Sequence, residues 1–419
     1  MREMLKENLP SDWKYDNIKN IGEVVTGNTP KSNNTEFYCD KGVLWASPAD
    51  LGKGKYINKT NKQLSKLGFD TTRKLPPLSI MITCIGSTIG KIGMTNSWMS
   101  TNQQINSIIC NESNFAEFYY YVMGYMAKYI KSLAGTQAVP LLNKSDFSGI
   151  NVPVPPLPEQ QKIAEILSTV DAKIEIINQQ IGETQELKKG LMQRLLTKGI
   201  GHTEFKDSPL GKIPKSWGNM KLKDECEKLN VGFVGTCEKF YCKKEEGVLM
   251  LRTGNLSNGK IKYNNLKYVT TEFHEKNKKS QIFEGDLLVA RHGSSGQAVL
   301  VPENFEESNC LNIIVIRPIK ETLNPQFLKY QFNSAVIKKQ VRKKTAGSTQ
   351  GVVNTKEIAS LNILLPAYSE QNKIAAILNS VDGKLNILTE KKNNYQELKT
   401  GLMQQLLTGK VRVKLTAEV

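Results

Sequence analysis

The residues with reactive chemistry are few and poorly placed for catalysis. The three histidines, His202, His274 and His292, lie far apart and match no metal-ligand spacing. Cys237 and Cys242 are four residues apart with no second pair to complete a zinc set. The other five cysteines are scattered, which reads as reduced thiols and not as a disulfide framework. "GSTIGKIG" at 86–93 is glycine-rich but lacks the G-x-x-x-x-G-K-[ST] spacing that cradles nucleotide phosphates. It reads as a tight turn, with a phosphate-contacting loop as the alternative. "KLPPLS" and "VPPLPE" carry Pro-Pro without the Asn/Asp and the aromatic of an adenine methyltransferase loop. No catalytic residue, metal or cofactor is expected in this chain.

What remains is hydrogen-bond donors in a basic chain. The formal charge is +17, from 57 Lys and Arg against 40 Asp and Glu. It divides as +5 over 1–156, −1 over 157–211, +10 over 212–366 and +3 over 367–419. Such an excess attracts a polyanion; a lysine-rich solvated surface is the competing explanation. Reading base edges needs Arg or Lys for guanine and Asn or Gln for adenine, and loops between strands present them best. The candidates in the first half are Thr83, Ser87, Lys91, Asn102, Gln103, Gln104, Thr136, Gln137 and Lys144. In the second half they are Arg252, Arg291, His292, Arg342, Lys343, Lys344, Ser348 and Gln350. The bland alternatives are that "TNQQ" only braces a turn and that Lys343 and Lys344 form a solvated helix end.

The elements that must hold these loops are announced by a repeat. Glu159–Thr197 aligns with Glu370–Thr408 at an offset of 211, with 22 of 39 pairs identical. Apolar residues fall on a 4-3-4-3 spacing: Ile163, Leu167, Val170, Ile174, Ile177 and Ile181, then Leu191 and Leu195. The second copy has Ile374, Leu378, Val381, Leu385 and Leu388, then Tyr395, Leu402 and Leu406. That seam predicts two long helices packing on one another, each about 58 Å long for 39 residues. Lys392, Lys188 and Lys399 interrupt the apolar phase. Prolines forbid helix before about Leu157, and Ser369 is the expected cap of the second helix with Glu370 in its first turn. Gly199, Gly201 and Gly409 mark the exits. Gly190 and Gly401 are either harmless or signs of a close helix crossing.

Outside the repeat the halves echo each other faintly, as in "LPSDWKYDNI" against "IPKSWGNMKL". Short apolar runs such as "GVLWAS", "SIMITCIG", "INSIIC", "DLLVAR" and "LNIIVIRP" read as strands. "FAEFYYYVMGYMAKYIKSL" and "NPQFLKYQFNSAVIKKQVRKK" read as amphipathic helices. The fold class is therefore α+β: two globular domains, each around an irregular, mostly antiparallel sheet, alternating with two long helices. The expected boundaries are 1–156, a helix over 157–199, a linker and second domain over 200–366, a helix over 367–411 and a tail at 412–419. At 419 residues two domains are natural. No transmembrane run or apolar signal segment is seen, so a cytoplasmic protein is expected.

This order of a globular domain, "PLPEQQKIAEILSTVDAKI…GLMQRLLT", a second globular domain and "SEQNKIAAILNSVDGKL…GLMQQLLTGKVRV" resembles the specificity subunit of type I restriction–modification systems. The match covers essentially the whole chain, departing only where "PAYSEQ" replaces "PPLPEQ". The resemblance implies two target recognition domains, each reading one half of a split double-stranded DNA site. It implies helices paired antiparallel as an intramolecular coiled coil in a pseudo-twofold molecule, spacing the half-sites and docking two modification (methyltransferase) subunits. Restriction subunits can join them, with S-adenosylmethionine, ATP and Mg carried by the partners in a bacterial or archaeal cytoplasm. A pseudo-symmetric coiled-coil scaffold without sequence-specific DNA binding, and an enzyme acting alone on nucleic acid, are the competing readings.

Overall fold

Prolines 155 and 156 hold the chain extended until Leu157, and a continuous helix then runs Leu157–Lys198. Its counterpart runs Tyr368–Leu406. The computed structural model describes residues 9–135, 139–257, 259–291, 298–345 and 354–414. The expected cap at Ser369 is corrected: Ala367 O accepts the amides of Glu370 and Gln371, so Ser369 lies inside the first turn. Pro156 O does the same for Glu159 and Gln160, which explains why "PPLPEQ" and "PAYSEQ" start helices equally well. Gly199 (φ +65°) and Gly409 (φ +72°) turn the chain out in the left-handed region, where a side chain is strained. A Cβ on Gly199 would also lie 2.7 Å from the Trp217 ring.

The chain folds as two units: Met1–Asn178 with Glu390–Val419, and Gln179–Thr389. Each long helix thus starts in one unit and finishes in the other. In the first unit, one sheet has the strand order Gly22–Thr26, Ile105–Cys110, Ile80–Thr83, Ile92–Thr95, Tyr56–Ile57. A second runs Tyr38–Cys39, Lys62–Leu64, Val43–Ala46, Ser100–Thr101, and Lys14–Asn17 pairs with Asn151–Val154. The second unit repeats the plan. One sheet runs Cys226–Val231, Ile313–Pro318, Leu287–Ala290, Ala298–Leu300; another runs Tyr241–Cys242, Lys267–Thr270, Gly247–Arg252, Ser308–Leu311, Gln281–Ile282. Gly218–Lys221 pairs with Asn362–Leu365. Pairing is antiparallel apart from the joins of Val43–Ala46 with Ser100–Thr101, of Tyr56–Ile57 with Ile92–Thr95 and of Gly247–Arg252 with Ser308–Leu311.

"SIMITCIG" and "DLLVAR" are apolar throughout because their strands are covered on both faces. Ile80 and Ile82 face the main core, whereas Met81 faces a second cluster with Ala46 and Ile105. Likewise Leu287 and Val289 face one cluster, Leu288 and Ala290 another. The helix Ala116–Leu133 buries Phe118, Tyr119, Met123 and Ile130 on the first core. "NPQFLKYQFNSAVIKKQVRKK" makes two helices, Pro325–Phe332 and Ala335–Thr345, because Asn333 leaves the helix to bond both backbone groups of Ala298.

The two long helices pair inside each unit. Ile163, Ala164 and Leu167 share the first core with Leu406 and Leu407, with Leu402 packed beside them. Leu195 and Leu196 share the second with Ile374, Ala375 and Leu378, with Leu191 beside them. The end of one helix therefore meets the start of the other, and the pairing is antiparallel. Val170, Ile177, Val381 and Leu388 are also buried, while Ile174 and Leu385 are half-buried. Thr184 is buried in the same phase, bonded to Gln180 O. The close crossing at Gly190 and Gly401 is corrected: a Cβ at either position meets nothing within 4 Å.

Candidate nucleic-acid interface

In the first unit three loop segments meet at Cys84. Its amide donates to Gln104 O (2.8 Å), its carbonyl accepts from Leu142 N (2.9 Å), and Gly86 N donates to Pro140 O (2.9 Å). The turn after Ile80–Thr83, the "TNQQ" turn and the segment around Leu141 therefore form one edge. Gly86 and Gly90 take φ +87° and +89°, and a Cβ on Gly90 would lie 2.8 Å from Ala127 O. Only glycine lets this turn rest on the helix Ala116–Leu133. Ser87, Lys91, Gln103 and Lys144 are exposed on this edge, Lys144 opening a short helix capped by Asn143. Asn102 is buried and braces its turn through both Gln104 N (3.1 Å) and the half-buried Gln104 side chain (3.0 Å). Thr83 belongs to the sheet and not to the loop: it is fully buried, so it is corrected from an edge donor to a strand residue. Thr136 and Gln137 lie outside the described residues.

Sequence reasoning passed over "TGNTP". Thr29 Oγ1 donates to Gln103 Oε1 (2.5 Å), and Asn28 accepts from Arg73 N (2.8 Å). Arg73 in turn reaches Thr26 O (2.6 Å), which adds an exposed guanidinium to the same edge. Its signal was the Gly-Asn-Thr-Pro turn, whose bonds to Thr71, Arg73 and Gln103 span more than 40 residues.

In the second unit Arg252 stands opposite Leu311 and Ala290 opposite Ile313, so Arg252 and Arg291 flank Asn312 at the join of the two sheets. Arg252 donates to Asn265 O (2.7 Å). The Nε atoms of both arginines are buried without a hydrogen-bond partner among the described residues. Arg342, Lys343 and Lys344 are exposed on the helix Ala335–Thr345, where Ile337 and Val341 supply the buried stripe. Lys338 and Lys339, also exposed, extend this basic face, which lacks any carboxylate. Cations near a helix C-terminus are favoured by its dipole, and a basic stripe on one face is an electrostatic footprint for phosphates. His292, Ser348 and Gln350 lie outside the described residues.

Behind these edges, each globular domain is tied to the long helices by the same residues. Glu159, 2% exposed, accepts the Trp13 indole N–H (2.8 Å) and two bonds from Arg412 (2.7 and 2.8 Å). Glu370 accepts the Trp217 indole N–H (3.0 Å) and Ile200 N (2.9 Å), with His202 Nε2 at 2.9 Å. The carboxylates beside Arg412, with Glu159 first and Asp12 second, hold its guanidinium even more firmly protonated than usual. Next in sequence, Gln160 accepts from Phe115 N (2.8 Å) and donates to Pro155 O (2.9 Å). Gln371 accepts from Asn324 N (2.8 Å) and donates to Pro366 O and Thr322 O. The repeated "EQ" thus pins Trp, helix start and globular domain together. His202 serves this clasp, and His274 sits between Asn309 and Gln281. Burial pushes the thiols of Cys110, Cys226 and Cys310 up to about 12, so they are poor nucleophiles.

The sequence matches the family described as the type I restriction modification DNA specificity domain, twice, over residues 10–186 and 214–398. The chain belongs to this family. It is 29% identical over 430 residues to the type I restriction enzyme MjaVIII specificity subunit of Methanocaldococcus jannaschii, covering 99% of this chain and 96% of that one. It is 34% identical over 199 residues to the HindI specificity subunit of Haemophilus influenzae, covering 45% and 42%. Among solved structures, the type I restriction–modification S subunit from M. genitalium superposes with a TM-score of 0.61 at 14% identity, covering 98% and 99%. A chain from a type I restriction–modification assembly gives 0.55 at 15% identity, covering 97% and 100%. The two family matches fall on the two copies of one sheet plan, and membership favours DNA specificity over the scaffold reading. For a specificity chain, a shared frame with different loops is the expected division of labour.

Proposed function

We propose that each unit reads one half of a split, asymmetric double-stranded DNA site, and that the paired helices set the gap and dock two modification subunits. The observation that carries this is one sheet plan used twice with different donors: Ser87, Lys91, Gln103 and Lys144 in one unit, Arg252, Arg291 and the 338–344 basic face in the other. On this reading lysines and arginines on the exposed faces take phosphates, while Gln103 and Arg291 read base edges. Docking is supported by an exposed apolar pair that the repeat conserves internally. Ile176 (49%) matches Ile387 (55%), and Leu187 (53%) matches Leu398 (49%), each at the 211-residue offset. Two copies of one partner could each use one of these equivalent patches. The chain itself supplies recognition and no reacting group. S-adenosylmethionine for adenine methylation, and ATP and Mg for restriction subunits where present, belong to the partners in the cytoplasm of a bacterial or archaeal cell.

The test is to co-express the chain with a modification subunit and map methylated adenines across a genome. A split motif with two unlike halves is expected. A continuous or palindromic motif, or methylation by the isolated chain, would overturn the reading.

A further inference from the structure

Two of the three lysines that interrupt the seam, Lys188 and Lys399, find partners that repeat with the same geometry. In the first unit Lys399 Nζ lies 2.6 Å from Asp171 Oδ1, and Tyr121 Oη donates to Asp171 Oδ2 (2.8 Å) with Ser168 Oγ 3.2 Å away. In the second, Lys188 Nζ lies 2.6 Å from Asp382 Oδ1, and Tyr330 Oη donates to Asp382 Oδ2 (2.7 Å) with Asn379 beside it. Each ammonium also lies over its tyrosine ring, at 5.4 and 5.8 Å from the centroid. All four charged side chains are 23–29% exposed. Each node joins three elements: one long helix gives the Asp, the other the Lys, and a recognition-domain helix the Tyr.

We propose that these two Asp–Lys–Tyr nodes are the register lock of the specificity chain, fixing the orientation and stagger of the helix pair and so the gap between half-sites. The proposal rests on the DNA-reading role above. A polar pair in an apolar seam costs stability but specifies alignment. Asp and Lys are 17 residues apart on each helix (188 − 171 and 399 − 382). Antiparallel pairing matches Asp with Lys at both nodes, whereas parallel pairing would set Asp against Asp and Lys against Lys. A slip of one heptad brings Lys399 to Ala164 or Asn178, and Lys188 to Ala375 or Thr389, none of them acidic. Apolar contacts alone forgive such a slip, because one Leu or Ile replaces another. The tyrosines pass the chosen stagger to the recognition domains. On this view the gap is set by the 17-residue stretch between nodes and not by the whole helix.

Two measurements on the full chain test this. With the modification subunit, methylation of a site library with varied gaps is compared between wild type and a K188M/K399M chain, which keeps helix length and apolar bulk. The wild type should favour one gap, and the variant should lose at least tenfold of that preference to neighbouring gaps. Tyr121→Phe with Tyr330→Phe should shift it the same way, and the swapped set D171K/D382K/K188D/K399D should restore a single gap. Unchanged gap preference in the K188M/K399M chain overturns the proposal. Spin labels at Lys173 and Lys391, both in the first unit, read the stagger without DNA: one narrow distance in wild type, spread or shifted in the variant by an axial slip of about 10 Å, one heptad of rise. An unchanged narrow distance also overturns the lock. A wild type with no split motif but a label distance that spreads in the variant would sink the DNA reading and leave the lock standing.

Discussion

Gln160 carries no charge and touches no candidate DNA contact, yet its replacement by Met should be among the most damaging single changes in the first unit. Its buried carboxamide satisfies Phe115 N at 2.8 Å and Pro155 O at 2.9 Å. Met fills nearly the same volume, so packing changes little, but two main-chain groups lose their partners. Each such orphan costs about 1–3 kcal/mol, giving roughly 2–6 kcal/mol and about 4 kcal/mol as a central value. For a unit of about 200 residues, where 1 kcal/mol moves the melting temperature by about 2–4 °C, this is a fall of roughly 8–16 °C. Scanning calorimetry of the full chain should show the transition of the first unit moving down. Gln371→Met should act on the second unit, since Gln371 bonds Asn324, Pro366 and Thr322. Gln160→Glu keeps the acceptor for Phe115 N but buries a carboxylate against Pro155 O, so near neutrality it should destabilise at least as much, and less in acid, where the protonated carboxyl can donate. A Q160M chain melting within about 2 °C of wild type would refute the idea that "EQ" is a buried clip.

Other outcomes follow from the same physics. Gly190→Ala and Gly401→Ala, with open space at each Cβ, should each stabilise the chain by about 0.5–1 kcal/mol in urea titrations; destabilisation would mean the space is not open in solution. Lys91→Ala and Lys144→Ala should weaken binding alike on all duplex sequences and reduce the salt slope by about one each, so a change in sequence preference alone would remove them from the phosphate-contact set. Acid should loosen both units. Burial raises the carboxyls of Asp382 and Glu117, but Lys188 and Tyr330 on one and Lys55 and Tyr56 on the other hold them net below their usual values. Depressed carboxyls stabilise the fold above the ordinary pKa and lose that contribution as pH falls through the lowered one. Melting temperature should therefore hold steady near neutrality and drop below about pH 4.5, and Asp382→Asn should flatten part of the drop.

Much of the architecture was legible because repetition and periodicity are local signals. The 4-3-4-3 seam and the prolines before Leu157 specify helices whatever packs on them. The all-apolar runs specify strands that must be covered on both sides. What the sequence hid were partners. Lys188 and Lys399 looked like defects because their carboxylates lie on the other helix, about two hundred residues away. Nothing local marks Glu159 as buried, yet Trp13 and Arg412 close over it from far apart in the chain. Thr83 looked like a loop donor because a strand end and a turn start differ by one residue. Arg73 was missed because its edge is assembled from segments with no common motif.

The way each long helix is shared between units sets an order of events during synthesis. Gln179–Thr389 is one uninterrupted segment and contains every residue its unit needs. The first unit is not: Leu406 and Leu407 belong to its core and Arg412 to its clasp on Glu159. At roughly 5–20 residues per second, a ribosome needs on the order of 10–40 s to travel from Asn178 to Glu390 and on into that final segment. For that time the N-terminal recognition domain waits with part of its core uncovered, and by its end every residue of the later-made unit has been translated. The residues translated after the second unit are the ones that complete the first.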